Sequence, residues 1–148
     1  MLFALGSDHA GLALKEAVKE RLLNLGQQVE DMGVHSTDAA DYPNQAAAVA
    51  RAVAQGRAQR GVLVCGSGVG MCMTANRFAG VRAVLAPTVE HARLGRQHND
   101  ANVLCLGQRL TPQGQALEIL DVFLNTGFEG GRHQRRVDLI DALSGGRR

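Results

Sequence analysis

The chain has 148 residues, of which 45% are hydrophobic and 20% are charged, a composition typical of a globular protein with one buried core. Its formal net charge is only +2, its aromatic content is 3% and it has no Trp, so neither an extended basic surface nor a base-stacking surface for nucleic acid is expected. It contains no run of about 18 uncharged apolar residues and no signal-peptide pattern. We therefore predict a cytoplasmic protein that does not enter a membrane.

Three cysteines, Cys65, Cys72 and Cys105, occur without any C-x-x-C spacing. An odd number without paired spacing argues against a disulfide framework and against a structural zinc site. It also leaves no resolving cysteine at a spacing that suits a thiol-redox protein. We therefore expect reduced thiols.

Strand-like and helix-like segments alternate along the whole chain. A first apolar strand, "LFALGSD", is followed by a helix over residues 11–26 that Gly26 ends. A weaker strand, "QQVEDMG", precedes an alanine-rich helix that Asp41 and Pro43 begin and Gly56 closes. The third strand, "GVLVC", runs directly into the glycine loop "GSGVG" and then into a short helix through "MCMTANRF".

The second half of the chain continues this alternation. "VRAVLA" predicts the fourth strand, and residues 87–99 predict a helix with Thr88 as its N-cap. "NVLCLG" predicts the fifth strand, followed by a helix that begins at Thr111 and Pro112 and ends at Gly127. A last helix is predicted over "RHQRRVDLIDAL", before a tail at 144–148 that we expect to be frayed.

Five short strands, most of them continuous apolar runs and each followed by a helix, indicate a parallel sheet covered on both faces. The predicted fold is a doubly wound, Rossmann-like three-layer α/β/α domain over residues 1–148 with a C-terminal helix. In such sheets the loops after the strand carboxyl ends meet at one edge, where ligands bind. The candidate residues at that edge are Asp8, His9, Cys65, Ser67 and Arg109. His98 and Asn99 precede the fifth strand, and their spacing does not place them there.

The sequence "CGSGVG" at 65–70 is the strongest local candidate for chemistry. It lacks the lysine of a Walker loop and the arginine of a C-x5-R phosphatase loop, and it matches a dinucleotide fingerprint only loosely. Backbone amides of residues 66–70 that converge before a helix would bind an anion and would favour the thiolate of Cys65 as a general base. The competing interpretation is an inert buried cysteine at a strand end, the class to which we assign Cys72 and Cys105.

Three further groups each have a structural interpretation beside a functional one. Asp8 could cap the first helix, and His98 could interact with a helix dipole. Asp8, His9 and His98 could bind a metal ion, although no two of them have a local ligand spacing. Arg132 and Arg136 lie four residues apart, so they could share a helical face that grips a phosphate or simply faces solvent.

Together these motifs resemble the type B ribose-5-phosphate isomerases, in the sugar-phosphate isomerase family that also includes allose-6-phosphate and galactose-6-phosphate isomerases. The resemblance rests on the ordered set "GSDHAG", "DYP", "CGSGVG", "TANRFAGVRA", "RQHNDANVLCLGQR" and "EGGRHQRRVD", which spans about residues 3–138. It implies interconversion of ribose 5-phosphate and ribulose 5-phosphate through a cis-enediolate, without metal or cofactor. It also implies a homodimer or higher homo-oligomer with shared active sites, and no nucleic-acid or membrane partner.

The resemblance implies roles for individual residues as well. Cys65 matches the catalytic base, and Ser67 matches the hydroxyl that relays a proton between the enediolate oxygens. His98 matches the residue that opens the furanose ring, with Asp8 beside the ring oxygens and Asn99 holding hydroxyls. The backbone implied to stabilise the enediolate belongs to Gly66, Gly68, Val69 and Gly70. The phosphate-binding set matches His9, Arg109, Arg132 and Arg136.

Met71 occupies the position at which another branch of the family has a glutamate base, so the chain fits the cysteine branch. Two alternatives stay open at this point. One is a six-carbon substrate, allose 6-phosphate or galactose 6-phosphate. The other, from a different class, is a non-catalytic nucleotide-binding module.

Overall fold

The computed structural model describes residues 1–145 and shows a five-stranded, all-parallel sheet between two layers of helices. The strands are β1 (Leu2–Ser7), β2 (Gln28–Asp31), β3 (Arg60–Cys65), β4 (Ala83–Leu85) and β5 (Val103–Gly107). The helices are α1 (Leu12–Asn24), α2 (Tyr42–Ala54), α3 (Val69–Ala75), α4 (Val89–Asn99), α5 (Gln113–Asn125) and α6 (Arg132–Leu143). The predicted three-layer fold is confirmed, whereas residues 146–148 of the expected frayed tail lie outside the described residues.

The hydrophobic core has two halves, one on each face of the sheet. Successive strand residues point to opposite faces, so Phe3 and Val62 pack against α1, α4 and α5, while Ala4 and Leu63 pack against α2 and α3. Because helices cover both faces, neither set of strand residues can be polar, and the strands read as continuous apolar runs. Helix α6 lies outside these layers and packs on α4.

The strand order β2-β1-β3-β5-β4 creates a reversal at the centre of the sheet. From β1 the chain enters α1 on one face, and from β3 it enters α3 on the other. Because β1 and β3 are hydrogen-bonded neighbours, the loops that follow them diverge from adjacent strand ends and leave a crevice between them. Ligands bind at this position in open α/β sheets.

The helix starts agree with the sequence signals in position but only partly in capping. Thr88 caps α4 as predicted, since its Oγ1 accepts the His91 N–H at 3.2 Å. Asp41 occupies the N-cap of α2 but makes no capping hydrogen bond through its side chain, and Pro112 caps α5 rather than beginning it. Within residues 1–145, no helix combines the length and apolar character that crossing a bilayer requires.

Candidate active site

A cavity of about 540 Å³ opens at the carboxyl edge of the sheet, between the loops that follow β1 and β3. This volume is in the range of small-molecule sites. All five residues that the sequence places at this edge line it: Asp8, His9, Cys65, Ser67 and Arg109. Gly66, Val69 and Gly70 of the glycine loop also line the cavity. The parallel sheet therefore brings together residues up to about a hundred positions apart in the chain.

The glycine loop is shaped by close packing against the sheet. Gly68 has φ +80°, in the left-handed region, and a Cβ there would meet Leu85 and the Leu106 carbonyl within 3.0 Å. A Cβ at Gly107 would likewise overlap the backbone of Ser67. The ladder between β3 and β5 continues into the loop, because Arg109 N–H donates to the Gly66 carbonyl at 3.0 Å. The loop is therefore held rigidly at the carboxyl end of β5.

The loop amides divide into two groups. Gly68 N–H donates to Cys65 Sγ at 3.1 Å, and Val69 N–H donates to Ser67 Oγ at 3.2 Å. The amides of Gly66, Ser67 and Gly70 have no hydrogen-bond acceptor among residues 1–145. The expected convergence of all five amides is thus refined: two hold the loop's own side chains, and the unpaired ones are available to an anionic oxygen.

Cys65 ends β3 as a buried free thiol at the floor of the cavity. The amide donor from Gly68 stabilises negative charge on its sulfur. Cys105 is fully buried, in keeping with the inert class, and its hydrogen bond to Cys72, followed by burial, raises its pKa. Cys72 differs from that expectation, because the hydrogen bond from Cys105 lowers its pKa to about 7 against the effect of burial.

Asp8 and His9 follow β1 on the opposite side of the cavity. Asp8 Oδ1 accepts the Gly11 N–H at 3.1 Å, so this carboxylate does cap the turn that leads into α1 while it lines the cavity. His9 Nδ1 accepts the Ala40 N–H at 3.1 Å. In the neutral ring the proton therefore resides on Nε2, which leaves an N–H donor for a ligand.

Arg109 supplies the positive charge of the cavity. Its Nη1 lies 3.0 Å from the position that a Cβ of Gly66 would take, so the guanidinium rests against the glycine loop. This guanidinium makes no hydrogen bond or ion pair with any other described residue. Its donors are consequently available for a phosphate or carboxylate.

Sequence reasoning missed the apolar residues that complete the wall. Tyr42, Met73 and Leu110 line the cavity, and Met73 and Leu110 are 67% and 72% exposed. A Cβ at Gly70 would overlap the Tyr42 ring, so the aromatic ring packs directly on the loop. The only signal for Tyr42 in the sequence is the "DYP" motif, which we interpreted as a helix start and as one block of the family resemblance.

Four predicted site residues do not line this cavity within residues 1–145. They are His98, Asn99, Arg132 and Arg136. Helix α4 runs antiparallel to the strands and ends at Asn99, shortly before β5 begins at Val103. His98 and Asn99 therefore lie at the amino edge of the sheet, opposite Cys65. The possible metal site of Asp8, His9 and His98 does not form within one chain, because His9 and His98 lie at opposite edges of the sheet.

A second cluster surrounds His98 instead. Its ring stacks on that of His133, with centroids 4.3 Å apart and planes 12° from parallel. Glu129 Oε1 lies 3.5 Å from His133 Nε2 and 3.9 Å from His98 Nε2. Burial and then the positive charges of His98 and Arg132 lower the pKa of His133. A metal ion within reach of all three would need one ring to turn, because nitrogen lone pairs lie in the ring planes and these planes are nearly parallel.

The sequence and the fold are similar to those of known isomerases over nearly the whole chain. A model of the ribose/galactose isomerase family matches residues 3–140. Over 140 residues the chain is 46% identical to ribose-5-phosphate isomerase B of Escherichia coli K12, covering 95% of this chain and 94% of that protein. It is similar to the solved ribose-5-phosphate isomerase B of Clostridium thermocellum, with a TM-score of 0.97, 40% identity and 98% of both chains covered. It is also similar to the Mycoplasma genitalium enzyme solved with bound ribulose-5-phosphate, with a TM-score of 0.94, 43% identity, and 97% of this chain and 96% of that one covered.

Proposed function

The chain belongs to the ribose/galactose isomerase family, and from this premise we propose that it interconverts ribose 5-phosphate and ribulose 5-phosphate through a cis-enediolate. The observation that carries the proposal is one cavity that holds a buried thiol, unpaired backbone amides and an unpaired guanidinium. These groups match three requirements of an aldose–ketose isomerase for a phosphorylated sugar: a base, hydrogen-bond donors for the developing oxyanion, and a positive group that binds the phosphate.

Phosphate binding orients the substrate. His9 presents Nε2–H and Arg109 presents an unpaired guanidinium on the walls of the cavity. A dianion held by both would fix the non-reacting end of the sugar and bring the reacting carbons to the sulfur. Arg109 is therefore assigned to binding rather than to proton transfer.

Proton transfer follows from the position of Cys65. Its sulfur removes the proton on C2 of the open-chain aldose, the electrons of the C2–H bond form a C1–C2 double bond, and the C1 carbonyl becomes an enediolate oxygen. Unpaired amides of Gly66, Ser67 and Gly70 stabilise that oxygen. The Ser67 hydroxyl accepts from Val69 N–H, so its own hydrogen is free to move between O2 and O1. Cys65 then returns its proton to C1, and C2 becomes the ketone.

A second copy of the chain completes the site in this proposal. His98, Asn99, Arg132 and Arg136 lie away from the cavity of their own chain, and the arginines make no ion pair with other described residues. Exposed apolar side chains occur beside both halves: Met73 and Leu110 at the cavity, and Leu139, Ile140 and Leu143 on α6. We therefore propose a homodimer or larger homo-oligomer in which each cavity receives these residues from a partner copy.

The test measures kcat/KM for ribose 5-phosphate, allose 6-phosphate and galactose 6-phosphate with the unmodified chain and with Cys65→Ala. We expect ribose 5-phosphate to be the best substrate and Cys65→Ala to lose about 10³-fold in kcat while still binding it. Cys72→Ala is the matched control and should keep its activity, because Cys72 does not line the cavity. A normal rate in Cys65→Ala would refute the assigned base.

The same measurement separates the remaining interpretations. A preference for either six-carbon sugar phosphate would transfer the mechanism to that substrate. Thermal stabilisation by NAD or ATP, with none by ribose 5-phosphate, would favour a nucleotide-binding module. The cytoplasmic location stays a prediction, and the three free thiols support it. The single domain over residues 1–148 also stays a prediction.

A further inference from the structure

The ring of His133 is the best-fixed group in the cluster at the amino edge of the sheet. His133 is 6% exposed, whereas the His98 side chain that stacks on it is 39% exposed. A histidine ring has broad freedom about its last torsion, so the exposed ring takes a defined plane only where a neighbour imposes one. The stack with His133 supplies that neighbour.

Backbone hydrogen bonds fix the segments that carry the two rings. Glu129 N–H donates to the Gln97 carbonyl at 3.0 Å, which ties the segment before α6 to the residue next to His98. His133 N–H donates to the Gly130 carbonyl at 3.0 Å in the first turn of α6. The stack therefore joins two helices whose relative position is already fixed by the chain.

The protonation state of His133 also favours the stack. Because burial and the surrounding positive charge lower the pKa of His133, its ring is neutral near neutral pH and does not repel a protonated His98. His133 Nε2 has no hydrogen-bond partner, and the nearest carboxylate oxygen, that of Glu129, is 3.5 Å away. A shift of about 0.5 Å would bring this pair to hydrogen-bond distance.

We propose that His133 is a positioning residue for opening of the furanose ring: its buried imidazole fixes the plane of His98. This inference rests on the proposed function and on the assignment of His98 to ring opening. Opening breaks the C1–O4 bond of the sugar, takes the proton from the C1 hydroxyl and delivers a proton to O4. Because the donor and acceptor positions of imidazole lie in the ring plane, a turned His98 reaches neither oxygen in line.

The test compares a substrate that must open with one that has no ring. Ribose 5-phosphate enters as a furanose, whereas ribulose 5-phosphate is acyclic because its O5 carries the phosphate. For His133→Ala we expect kcat on ribose 5-phosphate to fall by about 10- to 100-fold with KM little changed. Deuterium wash-in from heavy water at C1 of ribulose 5-phosphate should stay within about twofold of the unmodified rate, because it needs Cys65 and the loop amides but no ring opening.

Two variants separate positioning from simple structural support. His133→Phe keeps a flat ring on His98 and should recover most of the lost kcat. Val137→Ala removes a buried side chain one turn further along α6 but leaves both rings present, and should affect both reactions equally or neither. Equal loss of conversion and wash-in in His133→Ala, or the same asymmetry in Val137→Ala, would overturn the inference. Absence of any conversion of ribose 5-phosphate by the unmodified protein would instead refute the proposed function.

Discussion

Gly66 shows how one absent side chain determines the place of another residue. The Arg109 guanidinium lies against the position that a Cβ of Gly66 would take, with Nη1 only 3.0 Å from it. Gly66→Ala should therefore displace the guanidinium by a few tenths of an ångström and raise KM for ribose 5-phosphate about fivefold, equivalent to about 1 kcal/mol. Steady-state kinetics with the phosphorylated sugar measures this effect. The kcat should change little, since the loop amides keep their positions.

The control for this prediction is the double variant with Arg109→Ala. Arg109→Ala alone should raise KM by about 10- to 100-fold, because it removes charged hydrogen bonds to the phosphate. If Gly66→Ala acts only through the guanidinium, adding it to Arg109→Ala should change nothing further. Fully additive effects would mean that the methyl group disturbs the loop itself.

The sequence places some site residues well and others not at all, for a geometrical reason. Cys65 ends β3 and Asp8 follows β1, and the carboxyl ends of parallel strands meet at one edge whatever the strand order. His98 lies in the last turn of α4, so its position depends on how α4 returns along the sheet, and only the motif resemblance gave it a role in ring opening. Tyr42 and His133 were missed because their importance lies in contacts with Gly70 and His98, which no local pattern encodes.

Helix α1 and strand β2 are joined by a buried ion pair. Lys15 is 1% exposed, and its Nζ donates to Asp31 Oδ1 at 2.7 Å and to the Val34 carbonyl at 2.6 Å. Burial alone would raise the pKa of Asp31, but the hydrogen bonds from Lys15 and from Gly33 N–H lower it overall. A lowered folded-state pKa contributes stability that is complete above the unfolded value of about 3.9 and is lost as pH falls through the folded value.

Asp31→Asn should accordingly destabilise the protein by about 3–5 kcal/mol at neutral pH, because it leaves the buried Lys15 ammonium with only the exposed Glu16 carboxylate, 3.5 Å away, as a counter-charge. Chemical denaturation between pH 2 and 7 tests this at about one-unit intervals. The unmodified protein should lose stability below about pH 4, and the variant should show a flatter profile there.

A second variant keeps this prediction specific to the pair. Lys15→Met combined with Asp31→Asn removes both charges and should recover most of the lost stability. Lys19→Met is the matched control, because Lys19 contacts the same carboxylate at 3.3 Å from a partly exposed position and should cost under about 1 kcal/mol. A double variant as unstable as Asp31→Asn would show that the amide damages local packing instead.

At the scale of elements, the existence and type of strands and helices followed from apolar runs and caps, but their arrangement did not. The order β2-β1-β3-β5-β4 is set by which helices cover which face, information distributed over both core halves rather than in any segment. The outlying α6 shows the same limit. Its sequence predicts an amphipathic helix, yet only the structure shows that it packs on α4 and leaves Leu139, Ile140 and Leu143 exposed.

The whole molecule carries two incomplete halves of one proposed site, at opposite edges of its sheet. A cavity shared between copies predicts that two differently damaged chains complement each other. Cys65→Ala and Arg136→Ala chains, carrying different affinity tags, should each be inactive or weakly active alone. Their purified heterodimer has two sites. One site combines the intact cavity of the Arg136→Ala chain with the intact His98 and Arg136 of the Cys65→Ala chain, whereas the other site carries both substitutions. The heterodimer should therefore recover about half of the unmodified activity. Sites built within single chains would leave every site damaged and the heterodimer as inactive as its parents.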